Sequence, residues 1–130
     1  MPRGYTVATA AVALGVSTKW VDNALSHHKI TGVVQARQGV SRRLNIEALL
    51  SLYLVLLLTH ELEMTFTAAI RIAKELGSQN GVSTTPSGVQ IHLDLESHRN
   101  RLLSRLEHAV EVAPLPRRGR PPKNTTGRLD

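Results

Sequence analysis

Residues 8–28 read ATAAVALGVSTKWVDNALSHH, and the way this stretch divides decides the fold. Ala8 to Leu14 is rich in alanine, the strongest helix former. Gly15 follows, and a glycine enters left-handed backbone without steric cost, which suits the close of a helix. Ser17 then offers a hydroxyl to cap a second helix running to about His28. Ala11 is small where a second helix would pass over the first, and Gly15, four residues later, supplies the tight turn. Leu14, Val16, Val21 and Ala24 or Leu25 are spaced to lock the two helices together. Outside remain Thr18, Lys19, Asp22, Asn23, Ser26 and His27, with Ser17 at the cap. Those are hydrogen-bonding side chains, the kind a helix carries when it lies in a DNA major groove. A plain helical hairpin would show the same local pattern, so the flanking segments have to decide.

Upstream, Tyr5-Thr6-Val7 reads as a short strand. Downstream, Thr31-Gly32 breaks the second helix, and VVQAR (33–37) and SRRL (41–44) then read as a β-hairpin turning through Gln38-Gly39-Val40. Arg37, Gln38, Arg42 and Arg43 gather at or beside its tip. Guanidinium groups there could reach phosphates flanking a groove or enter the minor groove. A solvated basic hairpin is the bland alternative.

AAVALGVSTKWVDNAL, followed by RQGVSRRLNIEAL, resembles the DNA-binding domain of MerR-type regulators and related excisionase-like winged helices. In that family an Ala-x-x-x-Gly-Val-Ser turn leads into the recognition helix, a wing with a Gly-aromatic-Arg stretch follows, and a capped Glu-x-Leu helix comes next. The resemblance spans roughly residues 5 to 50. It implies that Thr18, Lys19, Asp22 and Asn23 face bases and phosphates, and that Arg42 takes the place of the wing arginine. Two departures stand out. Val40-Ser41 follows Gly39 where the family has an aromatic residue, and neither a long coiled coil nor metal-binding cysteines follow Met64.

From residue 45 onward the pattern is that of a helical core. Asn45 caps a long helix from Ile46 to about Met64, and its stretch from Leu52 to Leu58 is apolar on every side. Either the other helices wrap it or a second subunit does. Thr67 to Leu76 forms a further helix ended by Gly77, with Ala69, Ile72, Ala73 and Leu76 on one side. Ser78 to Gly88 reads as a flexible loop. Val89, Ile91, Leu93 and Leu95 alternate with polar residues, the period of a half-buried strand that needs an edge to pair with, in its own chain or in a partner. A helix from about Glu96 to Val112 carries Leu102, Leu103, Leu106, Ala109 and Val110 as its apolar stripe.

Pro114 and Pro116 stop that helix, and residues 117–130 lack the apolar content to fold alone. The run Arg117-Arg118-Gly119-Arg120-Pro121-Pro122-Lys123 resembles an AT-hook, whose Arg-Gly-Arg core lies in the narrow minor groove of A·T-rich DNA. Glycine lets the backbone approach the groove floor, and the prolines reduce the ordering cost of an extended bound chain. A generic electrostatic tail is the competing reading.

Charge is segregated along the chain. The net formal charge is +6, composed of +5 over residues 1–44, −3 over 45–113 and +4 over 114–130. Two polyanion-binding ends joined by a neutralised core would need that segregation, whereas solubility would not. Aromatics make up 3% of the residues and hydrophobics 42%, so Leu, Val, Ile and Ala do the packing. Cysteine is absent, which fits a reducing cytoplasm. No secretory signal is expected, and the most apolar stretch, Ala48 to Thr59, falls short of the about 20 residues a membrane span needs.

Six histidines raise the question of metal, but His27 and His28 point about 100° apart on a helix. His60-Glu61 lacks a second histidine, and His98 and His108 stand about 15 Å apart along an axis. Glu61 and Glu63 lie on different faces, and Glu107 and Glu111 form a solvated pair. No cofactor and no catalytic activity are expected.

The chain is therefore expected to be mainly α with small β. A winged helix-turn-helix (1–45) would precede a helical dimerisation region with one strand (46–113) and a disordered basic tail (114–130). Its expected role is sequence-specific binding of double-stranded DNA, as a homodimeric transcription regulator or nucleoid-associated protein in the cytoplasm. The alternatives are an excisionase-like accessory factor, an antitoxin holding its toxin through residues 65–112, and, in another class, a protein-interaction adaptor.

Overall fold

The structure, a computed structural model, describes residues 4–34 and 42–112. Every helix in it begins where a polar side chain accepts a backbone N–H that would otherwise lack a partner. Thr6 accepts from the Thr9 amide at 3.1 Å and opens α1 (Val7–Leu14). Ser17 accepts from the Trp20 amide at 3.0 Å and opens α2 (Thr18–His27). Asn45 does the same for Ala48 at 3.0 Å, at the head of α3 (Ile46–Glu61). Thr65 and Asp94 cap α4 (Phe66–Ser78) and α5 (Leu95–Val112). A cap of this kind contributes about 0.5–2 kcal/mol.

The end of α1 is as specific as its start. Gly15 sits at φ 75°, ψ 32°, and its amide donates to the Val12 carbonyl at 3.2 Å while the Val16 amide donates to that of Ala11 at 3.0 Å. That pair of bonds closes the helix and turns the chain into α2.

Three two-residue strands, β1 (Tyr5–Thr6), β2 (Val33–Val34) and β3 (Arg43–Leu44), form an antiparallel sheet in the order β1-β3-β2. Leu44 pairs with both Tyr5 and Val33, and Arg43 with both Thr6 and Val34. Leu44 is fully buried while Arg43 is exposed, so the central strand pins the sheet to the core with one residue and presents the next. Gly32 leads into β2 at φ 98°, and any Cβ there would collide with the side chain of Asn45. The Asn45 amide donates to the Gly32 carbonyl at 2.9 Å, which joins the sheet to the start of α3.

Helix α3 is the centre of the molecule. Leu52, Tyr53, Leu54, Val55 and Leu58 are buried on its different sides, and Leu56 and Leu57 are half-buried. Helix α4 folds back along it, and α1, α5 and β3 complete the cover. The all-round apolar stretch is thus wrapped by the chain's own helices. Helix α5 lies along α1, with Leu102, Leu106 and Ala109 fully buried.

Several boundaries depart from expectation, each for a local reason. Helix α3 stops at Glu61 instead of Met64, because Glu63 takes a left-handed φ of 56° that a helix cannot continue through. Gly77 does not end α4, which runs through it to Ser78. Residues 78–88 are not simply a loop, since Val82–Thr84 is a strand, β4, paired antiparallel with β5 (Gln90–His92). The Glu75 carboxylate holds β4 against α4 by accepting from the Ser83 hydroxyl and from the Thr84 amide. The expected strand from Val89 to Leu95 is therefore shorter and finds its edge within the chain. Asp94 diverts its end into α5, and Val89 is 60% exposed. On α5, Leu103 and Val110 are exposed, so its buried stripe is narrower than its apolar content.

Candidate nucleic-acid interface

Helix α2 is held to the body by few side chains. Val21 and Ala24 are buried, and Trp20 and Leu25 are half-buried against the core. Trp20 also meets Phe66, the first residue of α4, with ring centroids 5.8 Å apart, and His28 lies 4.6 Å from the same ring. Everything expected to face outward does so: Ser17, Thr18, Lys19, Asp22, Asn23, Ser26 and His27 are all exposed. They form one uninterrupted hydrogen-bonding face.

Two side chains on that face have definite partners. The His27 Nδ1–H donates to the Asn23 carbonyl at 2.8 Å, because a carbonyl can only accept. Nε2 is then the ring nitrogen left for an external group. Arg42, just before β3, reaches across to α2. Its guanidinium donates to the Ser26 hydroxyl and to the Asp22 carbonyl, each at 3.4 Å, and lies 4.0 Å from the Asp22 carboxylate.

The resemblance placed Arg42 on a wing, free to meet nucleic acid, but its side chain is 26% exposed and engaged with the helix. At these lengths and this exposure the contact stabilises by less than about 1 kcal/mol. Its larger effect is electrostatic, since it sets a cation beside the one acid on the polar face of α2. Arg43, next in the chain, has its side chain exposed. Lys19 on α2 and Arg43 on β3 are thus exposed cations, while Arg42 is the one set against Asp22.

Arg37 and Gln38 of the expected hairpin tip, and Arg117, Arg118, Gly119, Arg120 and Lys123 of the tail, lie outside the described residues. Two contributors to this region were not legible in the sequence. Phe66, far along the chain, forms with Trp20, Asn23, Ala24, His27 and His28 a shallow groove of about 210 Å³ on the flank of α2. Arg105 of α5 brings its guanidinium to the α1–α2 turn, 3.8 Å from where a Cβ on Gly15 would stand. No local pattern marks a contact across ninety residues.

Among the described residues, no three His, Asp or Glu side chains gather as metal ligands, and no helix is long and apolar enough to cross a membrane. Comparison of the chain with protein-family models, with curated proteins and with solved structures finds no match.

Proposed function

We propose that this chain binds double-stranded DNA and reads its sequence in the major groove through α2, as a transcription regulator or a nucleoid-associated protein. One observation carries the reading. Helix α2 is anchored by Val21 and Ala24 alone among its fully buried residues, and spends its outer face on seven exposed polar side chains. A packing helix on a surface also carries a polar face, but here that face follows a glycine-closed turn and stands beside the paired strands β2 and β3. A reading helix needs such a face, because base edges are distinguished by paired donors and acceptors.

Three further features support a winged helix-turn-helix of the MerR or excisionase type. A glycine-closed turn links α1 to α2, an antiparallel pair of strands follows α2, and a capped helix follows the strands. In this reading Asn23 and Lys19 contact bases, Ser17 and Thr18 at the helix start meet phosphate, and Arg43 flanks the groove. The tail from Arg117 to Lys123 adds an A·T-directed grip in the minor groove.

Anisotropy titration of the protein with a random duplex pool at about 50 and about 200 mM salt tests the proposal. A complex whose affinity falls steeply with salt is expected, and selection from the pool should enrich a definite sequence. Absence of any complex at the lower salt would sink it.

A further inference from the structure

Behind α2 the connector to β2 passes over a cavity of about 390 Å³, bounded by α3, α4 and the start of α5. Its size falls within the roughly 300–1,000 Å³ range of small-molecule sites. The floor is apolar and formed by buried side chains, Ile30 of the connector, Leu50 and Leu54 of α3, and Ile70 of α4. The rim is charged and unbalanced. Lys74 of α4 and Arg99 of α5 line it, and Glu47 is the one acid there. Among the described residues neither cation has a carboxylate within ion-pair distance, the Arg42–Asp22 contact being the ion pair found.

Gly77 adds an independent observation. It lines this cavity from inside α4, where glycine is less favourable than alanine by about 1 kcal/mol. Its backbone is ordinary helix, and a Cβ built on it would meet nothing within 4 Å. Neither backbone conformation nor close packing calls for glycine there. Its effect is to leave the cavity wall without a side chain.

We propose that this cavity binds a small organic carboxylate with an apolar body, its carboxylate held between Lys74 and Arg99. Thr31, Ser51 and Ser78 also line the cavity and add hydroxyl donors beside the two cations, while the apolar floor favours a hydrocarbon or aromatic body, which gains by burial there. Binding itself is independent of the DNA-reading proposal. Its consequence rests on that proposal: Ile30 and Thr31 join α2 to β2, so a ligand that fixes them biases the placement of both, and its affinity and that for DNA become linked.

Phenylacetate and its uncharged match phenylacetamide are suitable probes, added to full-length protein labelled at isoleucine and leucine methyl groups. Phenylacetate should give saturable shifts at Ile30, Leu50, Leu54 and Ile70, and phenylacetamide should bind about tenfold more weakly. Lys74→Ala and Arg99→Ala should each weaken phenylacetate by a similar factor, about tenfold. Gly77→Leu, which favours the helix, should fill the wall and abolish saturation.

Absence of shifts up to about 10 mM phenylacetate, a concentration above the millimolar scale of weak binding, would overturn the site. Equal binding of the amide would overturn the anionic class. A DNA titration with saturating phenylacetate reads the linkage separately: a change in affinity in the wild type that Gly77→Leu lacks supports it, and an unchanged affinity removes it. Failure of DNA binding altogether would leave the methyl shifts standing, so the two readings fail independently.

Discussion

Helices α2 and α3 both open on a polar cap, Ser17 and Asn45, yet α2 buries two of its ten residues and α3 buries eight of its sixteen. That contrast separates two kinds of work. Helix α3 spends its side chains on packing and leaves few for contact with anything else. Helix α2 keeps only enough apolar surface to stay in place. The molecule can therefore lose a side chain from one helix with consequences that the other would not show.

The largest expected effect lies in the core. Leu52→Ala removes a fully buried side chain and should lower unfolding free energy by about 2–5 kcal/mol in a denaturant titration, with no change in which DNA is preferred by the surviving folded fraction. On α2 the outcome should invert. Asn23→Ala, at an exposed position, should leave stability within about 0.5 kcal/mol but cost about 1–3 kcal/mol of discrimination between preferred and scrambled duplexes. A loss of stability equal to that of the core variant would erase the distinction between the two helices.

Gly15→Ala probes the hinge from which α2 projects. With φ at 75° and an ordinary 3.8 Å contact between the added methyl and Arg105, the cost is backbone strain, about 1–2 kcal/mol by thermal melting. The smallest change is expected from Asp22→Asn. It removes the acid beside Arg42 and should raise affinity for DNA of any sequence by less than tenfold, most visibly at low salt. Weaker binding after that change would mean that Asp22 contacts a base instead of restraining an arginine.

What the sequence disclosed, it disclosed through local rules. Thr6 aside, the caps at Ser17 and Asn45 and the glycine at residue 15 were legible because each is decided by residues within a turn of itself, while of the expected hairpin the described part is Val33–Val34 paired with Arg43–Leu44. Read locally, however, Gly77 was given the role of a helix stop, and Val82-Ser83-Thr84 was absorbed into a loop. Nothing nearby announced that Glu75 would hold that segment as a strand. The partner of Arg42 was equally hidden, because Ser26 and Asp22 lie sixteen and twenty residues back. The cavity was the least legible feature, since four separate segments meet to enclose it.

The packing of α5 along α1 bears on how the protein is made. Helix α1 leaves the ribosome well before α5, the helix that covers its buried face. The α1–α2 turn can form early from local contacts, but α1 and the helix it supports wait for Leu102, Leu106 and Ala109 before they are sealed into the core. A nascent chain interrupted before α5 would carry the polar face of α2 without the support that fixes its direction. Any activity that depends on the direction of α2 would then await the docking of α5.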